Sequence, residues 1–154
     1  MTLAYTFAGS RLNRFAKRTS IPAYITATAN DTTATVNGNA IDNRAGNIRQ
    51  LNYVVAVTAS AGTNPTIALA LQQSLDEGTT WIPVLNTSGN AVATTATTID
   101  SAPKQVALTT ASSGLTRLPS ALLRVVETLA GTNTPSRVSV SSVSLYHDVN
   151  PGTL

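Results

Sequence analysis

The chain has no cysteine, which excludes disulfide bridges and thiolate metal sites and leaves the redox compartment open. Its single histidine, His147, cannot build a histidine-rich metal site. Charge is scarce too: 11% of the residues are Asp, Glu, Lys or Arg, against roughly a quarter in ordinary soluble domains. Aromatic residues make up 5%, and Trp81 is the only tryptophan. No apolar run approaches the roughly 20 residues of a membrane-spanning helix, so no membrane partner is expected. The N-terminus has no continuous apolar stretch ahead of a cleavage site, and no secretory leader is expected.

What is present suits one domain. The 154 residues are 42% hydrophobic, enough for a core. With few Lys and Glu, the polar surface has to come from Thr, Ser, Asn and Gln, a composition that favours strands and turns over solvated helices. Low charge also suits a protein that buries much of its surface against partners. The net charge of +3 is unevenly placed. Arg11, Arg14, Lys17 and Arg18 fall in the first eighteen residues with no acid among them, whereas the remainder sets six basic residues against seven acids. The basic character therefore belongs to an arm.

The pattern predicts an arm over residues 1–18, a β-sandwich over 19–148 and a tail over 149–154. Leu3, Tyr5 and Phe7 alternate, and Ser10 can cap a short helix through Arg18. On that helix Leu12 and Phe15 share one side, and Arg11, Arg14 and Arg18 another. An arm with Arg11, Leu12, Arg14, Phe15, Lys17 and Arg18 is read as a docking element that grips a neighbouring subunit. Four positive charges would also give salt-sensitive, sequence-blind contact with nucleic acid. Base stacking, however, needs interleaved aromatics, and Phe15 is the only one in the cluster.

In the body, Ile21, Ala23, Ile25 and Ala27 alternate as one strand. Asn37-Gly38-Asn39 is a hairpin-turn signal, and residues 49–60 alternate again around Leu51, Tyr53, Val55 and Val57. Residues 67–85 read as strand, tight turn, strand, with Asp76-Glu77-Gly78 at the turn and Trp81 covering the end of the core. Residues 92–99 form a weak strand and residues 121–129 a buried one. Residues 137–147 change phase at Ser141-Ser142, which predicts a β-bulge there. The loops Ala61-Gly-Thr-Asn-Pro65 and Ala130-Gly-Thr-Asn-Thr-Pro135 echo one another, suggesting two similar hairpins as pseudo-equivalent halves. Two copies are too few for a propeller or solenoid. The fold class expected is all-β, a two-sheet β-sandwich of jelly-roll type with an extended or short-helical N-terminal arm.

Catalytic constellations are missing from the pattern. There is no nucleophile elbow G-x-S-x-G, His147 sits in strand phase with Val143 and Leu145, and the adjacent Asp76 and Glu77 diverge in a turn. No phosphate loop and no set of oxygen ligands for calcium appears. The chain is read as non-enzymatic, with no cofactor and no metal. A sugar site would need flat aromatic platforms, and Tyr5, Tyr24, Tyr53 and Tyr146 are scattered.

Two resemblances follow from particular residues. Ser74, Asp76, Gly78, Thr80 and Trp81 spell S-x-D-x-G-x-T-W, which resembles the Asp-box hairpin of sialidases and related propellers, a structural turn remote from catalysis. The segments YVVAVTASAGTNPTIALALQQSLDEGTTW and LLRVVETLAGTNTPSRVSVSSVSLY resemble a β-sandwich domain common in tailed-phage virion proteins, over about two-thirds of the chain. The common Gly-Gly turn of that family is Glu77-Gly78 here. The resemblance implies a capsid-decoration (cement), head-fibre or tail-associated role. The expected partners are a major capsid protein or other virion protein and copies of the chain itself, as a trimer. The expected location is the virion, at the capsid surface, after synthesis in the host cytoplasm. A tail, neck or baseplate component and a host-glycan adhesin are the alternatives.

Overall fold

The computed structural model describes residues 17–115 and 117–147. Among these residues the strands are β1 (Lys17–Asp31), β2 (Thr35–Asn37), β3 (Ile41–Asp42), β4 (Ile48–Ser74), β5 (Ile82–Pro83), β6 (Thr97–Thr98), β7 (Lys104–Thr109) and β8 (Leu122–His147), and Thr110–Ser112 forms a 3-10 turn.

Strands β4 and β8, of 27 and 26 residues, form the spine. They pair antiparallel from Ile48 opposite His147 to Ser74 opposite Leu122. A straight strand of this length would span roughly 90 Å. Instead both halves feed one core: Leu51, Tyr53, Val55 and Val57 from the first half of β4 lie in the same buried cluster as Ile67, Leu69 and Leu71 from the second. The ribbon folds back on itself where register shifts fall between Ala59 and Thr66. One layer is β1, residues 136–147 of β8, residues 48–59 of β4, and β7. The facing layer is β2 with β3, residues 122–130 of β8, residues 66–74 of β4, and β5 with β6. The ladder continues around the fold through those register shifts, so the two layers belong to one eight-stranded antiparallel sheet folded over its own core. The result is an all-β sandwich of jelly-roll type.

The echoing loops therefore do not close two hairpins. Ala61 faces Ser136, Thr63 faces Thr132 and Thr66 faces Ala130, so the repeats meet as the two strands of one corner. Both need glycine for the same reason. Gly62 (φ +103°) would place a Cβ 2.6 Å from the Cα of Pro135, and Gly131 (φ +148°) would place one 3.1 Å from the Cα of Pro65.

Three further expectations are corrected. Asn37-Gly38-Asn39 does not reverse the chain, because β2 and β3 run on along β8 in the same direction, opposite Thr128–Val126 and then Leu123–Leu122. Gly38 is required there because the Tyr24 ring lies where a Cβ would stand. The bulge foreseen at Ser141-Ser142 sits on β1 instead: Pro22 pairs with Ser142 and Thr26 with Val140, so residues 23–25 stand against Ser141 alone. The buried Ser141 hydroxyl accepts from the Ile25 N–H at 2.9 Å and donates to the Ile25 carbonyl at 3.2 Å, replacing ladder bonds that the bulge removes. This bulge also breaks the alternation of β1, turning Ile21 and Ala23 outward while Tyr24, Ile25 and Ala27 are buried. Of the helix expected over residues 10–18, only Lys17 and Arg18 are described, and both are strand.

Candidate functional site

Of the docking-arm residues, Arg11, Leu12, Arg14 and Phe15 lie outside the described residues. Lys17 and Arg18 open β1 opposite His147 and Tyr146. The Arg18 guanidinium donates from Nε and Nη2 to the Ser144 hydroxyl at 3.2 and 2.9 Å.

The five hairpin residues come together in one turn between β4 and β5. Asp76 Oδ1 accepts the Ser74 hydroxyl at 2.7 Å and the Thr80 N–H at 2.8 Å, and the Ser74 oxygen accepts the Gly78 N–H at 2.8 Å. Those donors, the Thr80 groups first, hold the Asp76 carboxyl down at about 2. Trp81 donates Nε1–H to the Gly78 carbonyl at 3.0 Å. It does not join the core cluster. Its ring instead lies under the Arg124 guanidinium, 4.3 Å from the centroid, and Arg124 is fixed by the Gln72 amide oxygen at 2.9 Å. Arg44 ties the neighbouring loop to this turn, pairing with Asp42 at 2.6 Å and Glu77 at 2.7 Å, both pairs well exposed.

The sign of the pH effect follows from the depressed pKa. The turn's stabilisation is complete above the ordinary carboxylate value near 3.8 and is lost as pH falls through about 2. Trp81 fluorescence should therefore shift between about pH 4 and 2 before the far-UV signal changes. Asp76→Asn, which keeps an acceptor oxygen but does not titrate, should flatten that early shift. A shift that persists unchanged in Asp76→Asn would assign it to another carboxyl, with Asp42, held at about 2 by Arg44, the first alternative.

A charged group the sequence pattern did not single out lies inside the sandwich. Arg137 and Glu127 are both fully buried, with Nη2 3.4 Å from Oε2. The Tyr53 hydroxyl donates to Glu127 Oε1, and the Tyr53 ring meets Tyr24 edge-on at 5.9 Å. The Tyr24 hydroxyl donates to the Asn39 carbonyl, and burial pushes its pKa up to about 12. Burial raises the Glu127 pKa, opposed by the Tyr53 hydroxyl and the Arg137 charge. The set links the two layers, since Tyr53 and Arg137 belong to one and Glu127 to the other.

Two open surfaces complete the inventory. At the β5 edge, Ile82, Leu85, Leu115 and Pro119, with Gln73 and Arg117, border a groove of about 300 Å³, and Leu75, directly after β4, is 75% exposed. On the outer face of the β1 layer, Val138 and Val140 stand 40% and 49% exposed beside Thr26, Thr28, Ala56 and Thr58, around a second shallow groove of about 350 Å³. No charged side chain lines that second groove. Among the described residues, no group of three His, Asp or Glu side chains could hold a metal ion. No helix among them is long and apolar enough to cross a membrane.

No protein-family model matches the chain, and no curated protein matches it. Among solved structures it is similar to the capsid of Ralstonia phage GP4, at 18% identity and a TM-score of 0.48 over 88% of this chain and 87% of that one. It is also similar to infectious bursal disease virus Gx strain, at 10% identity and a TM-score of 0.47, over 90% of this chain and 34% of that one. The chain thus spans about a third of the length of that virus chain. A third likeness is to the N-terminal cellulose-binding domain of Cellulomonas fimi beta-1,4-glucanase C, at 18% identity and a TM-score of 0.41 over 86% of this chain and 78% of that one. With every TM-score below 0.5, none of these likenesses decides what the chain does.

Proposed function

We propose that the chain is a non-enzymatic structural protein of a phage virion, of the capsid cement or decoration kind, assembling with copies of itself as a trimer and with a capsid protein. The observation that carries this reading is the largely apolar groove at the β5 edge, where Ile82 and Leu85 stand open, with Leu75 also exposed just after β4, on a body this poor in charge. Exposed apolar clusters on compact domains mark contact surfaces. Burying leucine and isoleucine side chains there would stabilise a subunit contact by roughly 1.5–3 kcal/mol per fully covered side chain. The segments that resemble the phage virion sandwich contain nearly all of the spine strands β4 and β8, so the resemblance falls on the part that sets the architecture.

In this reading the basic residues Arg11, Arg14, Lys17 and Arg18 supply a second, electrostatic hold on an acidic shell, and two weak contacts per subunit multiply in a trimer. Removal of residues 1–16 leaves every strand and core residue among the described residues in the chain. The truncated protein should remain a folded β-sandwich by far-UV circular dichroism yet lose binding to empty capsids in co-sedimentation, by at least tenfold in affinity. Undiminished binding would overturn the arm's role. Leu85→Asp and Ile82→Asp should shift the protein from trimer to monomer in analytical ultracentrifugation.

A further inference from the structure

We infer that the outer face of the β1 layer is covered by the chain's own N-terminal segment, with Leu3 and Tyr5 seated on Val138 and Val140. The face is apolar, uncharged and open among the described residues, so its occupant is itself apolar and needs no counter-charge. The first seven residues have that chemistry: Leu3, Tyr5 and Phe7 alternate with small or polar residues, none has a charged side chain, and an extended chain would present all three on one side.

The length of chain outside the described residues fits as well. Strand β1 begins at Lys17, opposite His147, while the groove lies at Val140 and Val138, seven and nine residues further along β8. At about 3.3 Å per residue those levels are roughly 23 and 30 Å from the start of β1. A reversal that takes about four residues, 13–16, leaves residue 12 level with the start of β1. Seven more residues bring Tyr5 level with Val140, and two more bring Leu3 to Val138. Tyr5 and Leu3 thus arrive where the exposed valines are, with Phe7 one step short of them, level with Ser142. The reversal would hold Arg11, Arg14 and Lys17 at one end of the body. This inference stands whatever the shell partner proves to be.

Because the chain lacks cysteine, the test needs no background mutations. The full-length variants Val140→Cys/Tyr5→Cys and Val138→Cys/Leu3→Cys should form a disulfide within one chain on mild oxidation, detected by mass at monomer size. Tyr5→Cys paired with Leu85→Cys, on the other apolar surface, should not. A covalent dimer would show that the segment of another copy, or another copy's same face, is the occupant, and would overturn the inference. A second readout guards against an unfavourable disulfide geometry. Val140→Cys in the otherwise unchanged chain should react with a thiol reagent at least tenfold more slowly than in a chain also carrying Leu3→Asp, Tyr5→Asp and Phe7→Asp. Equal rates, with no intrachain disulfide, would overturn it.

Discussion

Glu127→Gln should destabilise the fold by about 3–5 kcal/mol, the cost of leaving a buried cation without its counter-charge. The glutamine keeps an acceptor for the Tyr53 hydroxyl and nearly the same shape, so the loss reports charge rather than packing. The neighbourhood offers Arg137 no escape to solvent, since its side chain is fully buried and the nearest carboxylate oxygen is Glu127 Oε2 at 3.4 Å. Arg137→Met should cost a similar amount at pH 7 but behave differently with pH. Guanidinium does not deprotonate, whereas a carboxyl can take up a proton. With Arg137 gone, burial holds the Glu127 pKa still higher. Its folded pKa then exceeds its unfolded one, so stability is retained below the ordinary glutamate value and lost as pH rises above it. The Arg137→Met protein should therefore be much closer to wild type at pH 4 than at pH 7, and Glu127→Gln should be weakened at both. The double variant Glu127→Gln/Arg137→Met removes both charges and should be more stable at pH 7 than either single variant. Urea unfolding at the two pH values checks all four proteins. Additive losses in the double variant would show that the two charges do not act as a pair.

Gly62→Ala should cost about 4 kcal/mol, combining backbone strain with a forced repacking. The added methyl would stand 2.6 Å from the Pro135 Cα at φ +103°, and the obstacle is backbone of the opposite strand, which cannot rotate away. Gly89→Ala is the matched control: φ is +79°, but nothing lies within 4 Å of the added Cβ, so only the conformational penalty of about 1–2 kcal/mol applies. The difference between the two urea midpoints isolates the close approach of the strands at the corner. A Gly62→Ala protein no weaker than Gly89→Ala would mean that the corner opens at little cost, and the tight fold-back would have to be abandoned.

Much of the architecture was legible because alternation survives wherever apolar side chains do the burying. Leu51, Tyr53, Val55 and Val57, and again Ile67, Leu69 and Leu71, announce their buried face without ambiguity, and the structure places each of them inside. The pattern misled wherever polar groups were buried. Arg137, Ser139 and Ser141 point inward, so Val138 and Val140 were left outside, and a strand with unbroken phase against β4 read as if it slipped. The corner misled for another reason. Gly, Asn and Pro mark a bend equally well in a hairpin and in two strands that bend together, and only pairing across the whole chain separates the two. At the Asp76 turn, the residue spacing fixed the hydrogen-bond donors and acceptors, but nothing in it placed Trp81 under Arg124, because that contact crosses from β8. The arm's role rests on its charge pattern alone, since Arg11, Leu12, Arg14 and Phe15 lie outside the described residues.

The fold-back of β4 against β8 also governs how such a chain reaches its native state. The pairing that begins at Ser74 and Leu122 spans the entire excursion 75–121, and the pairing at the far end joins Ile48 to His147. No tight hairpin can start this ribbon, so a large loop has to close before the first rung is made. Topologies of this kind fold on the slow side, in milliseconds to seconds. During that interval the edge of β4 that will meet β8 is open, so copies at high concentration would meet one another half-zipped. The moment when a strand is most easily lent to a neighbour is therefore before the sandwich shuts.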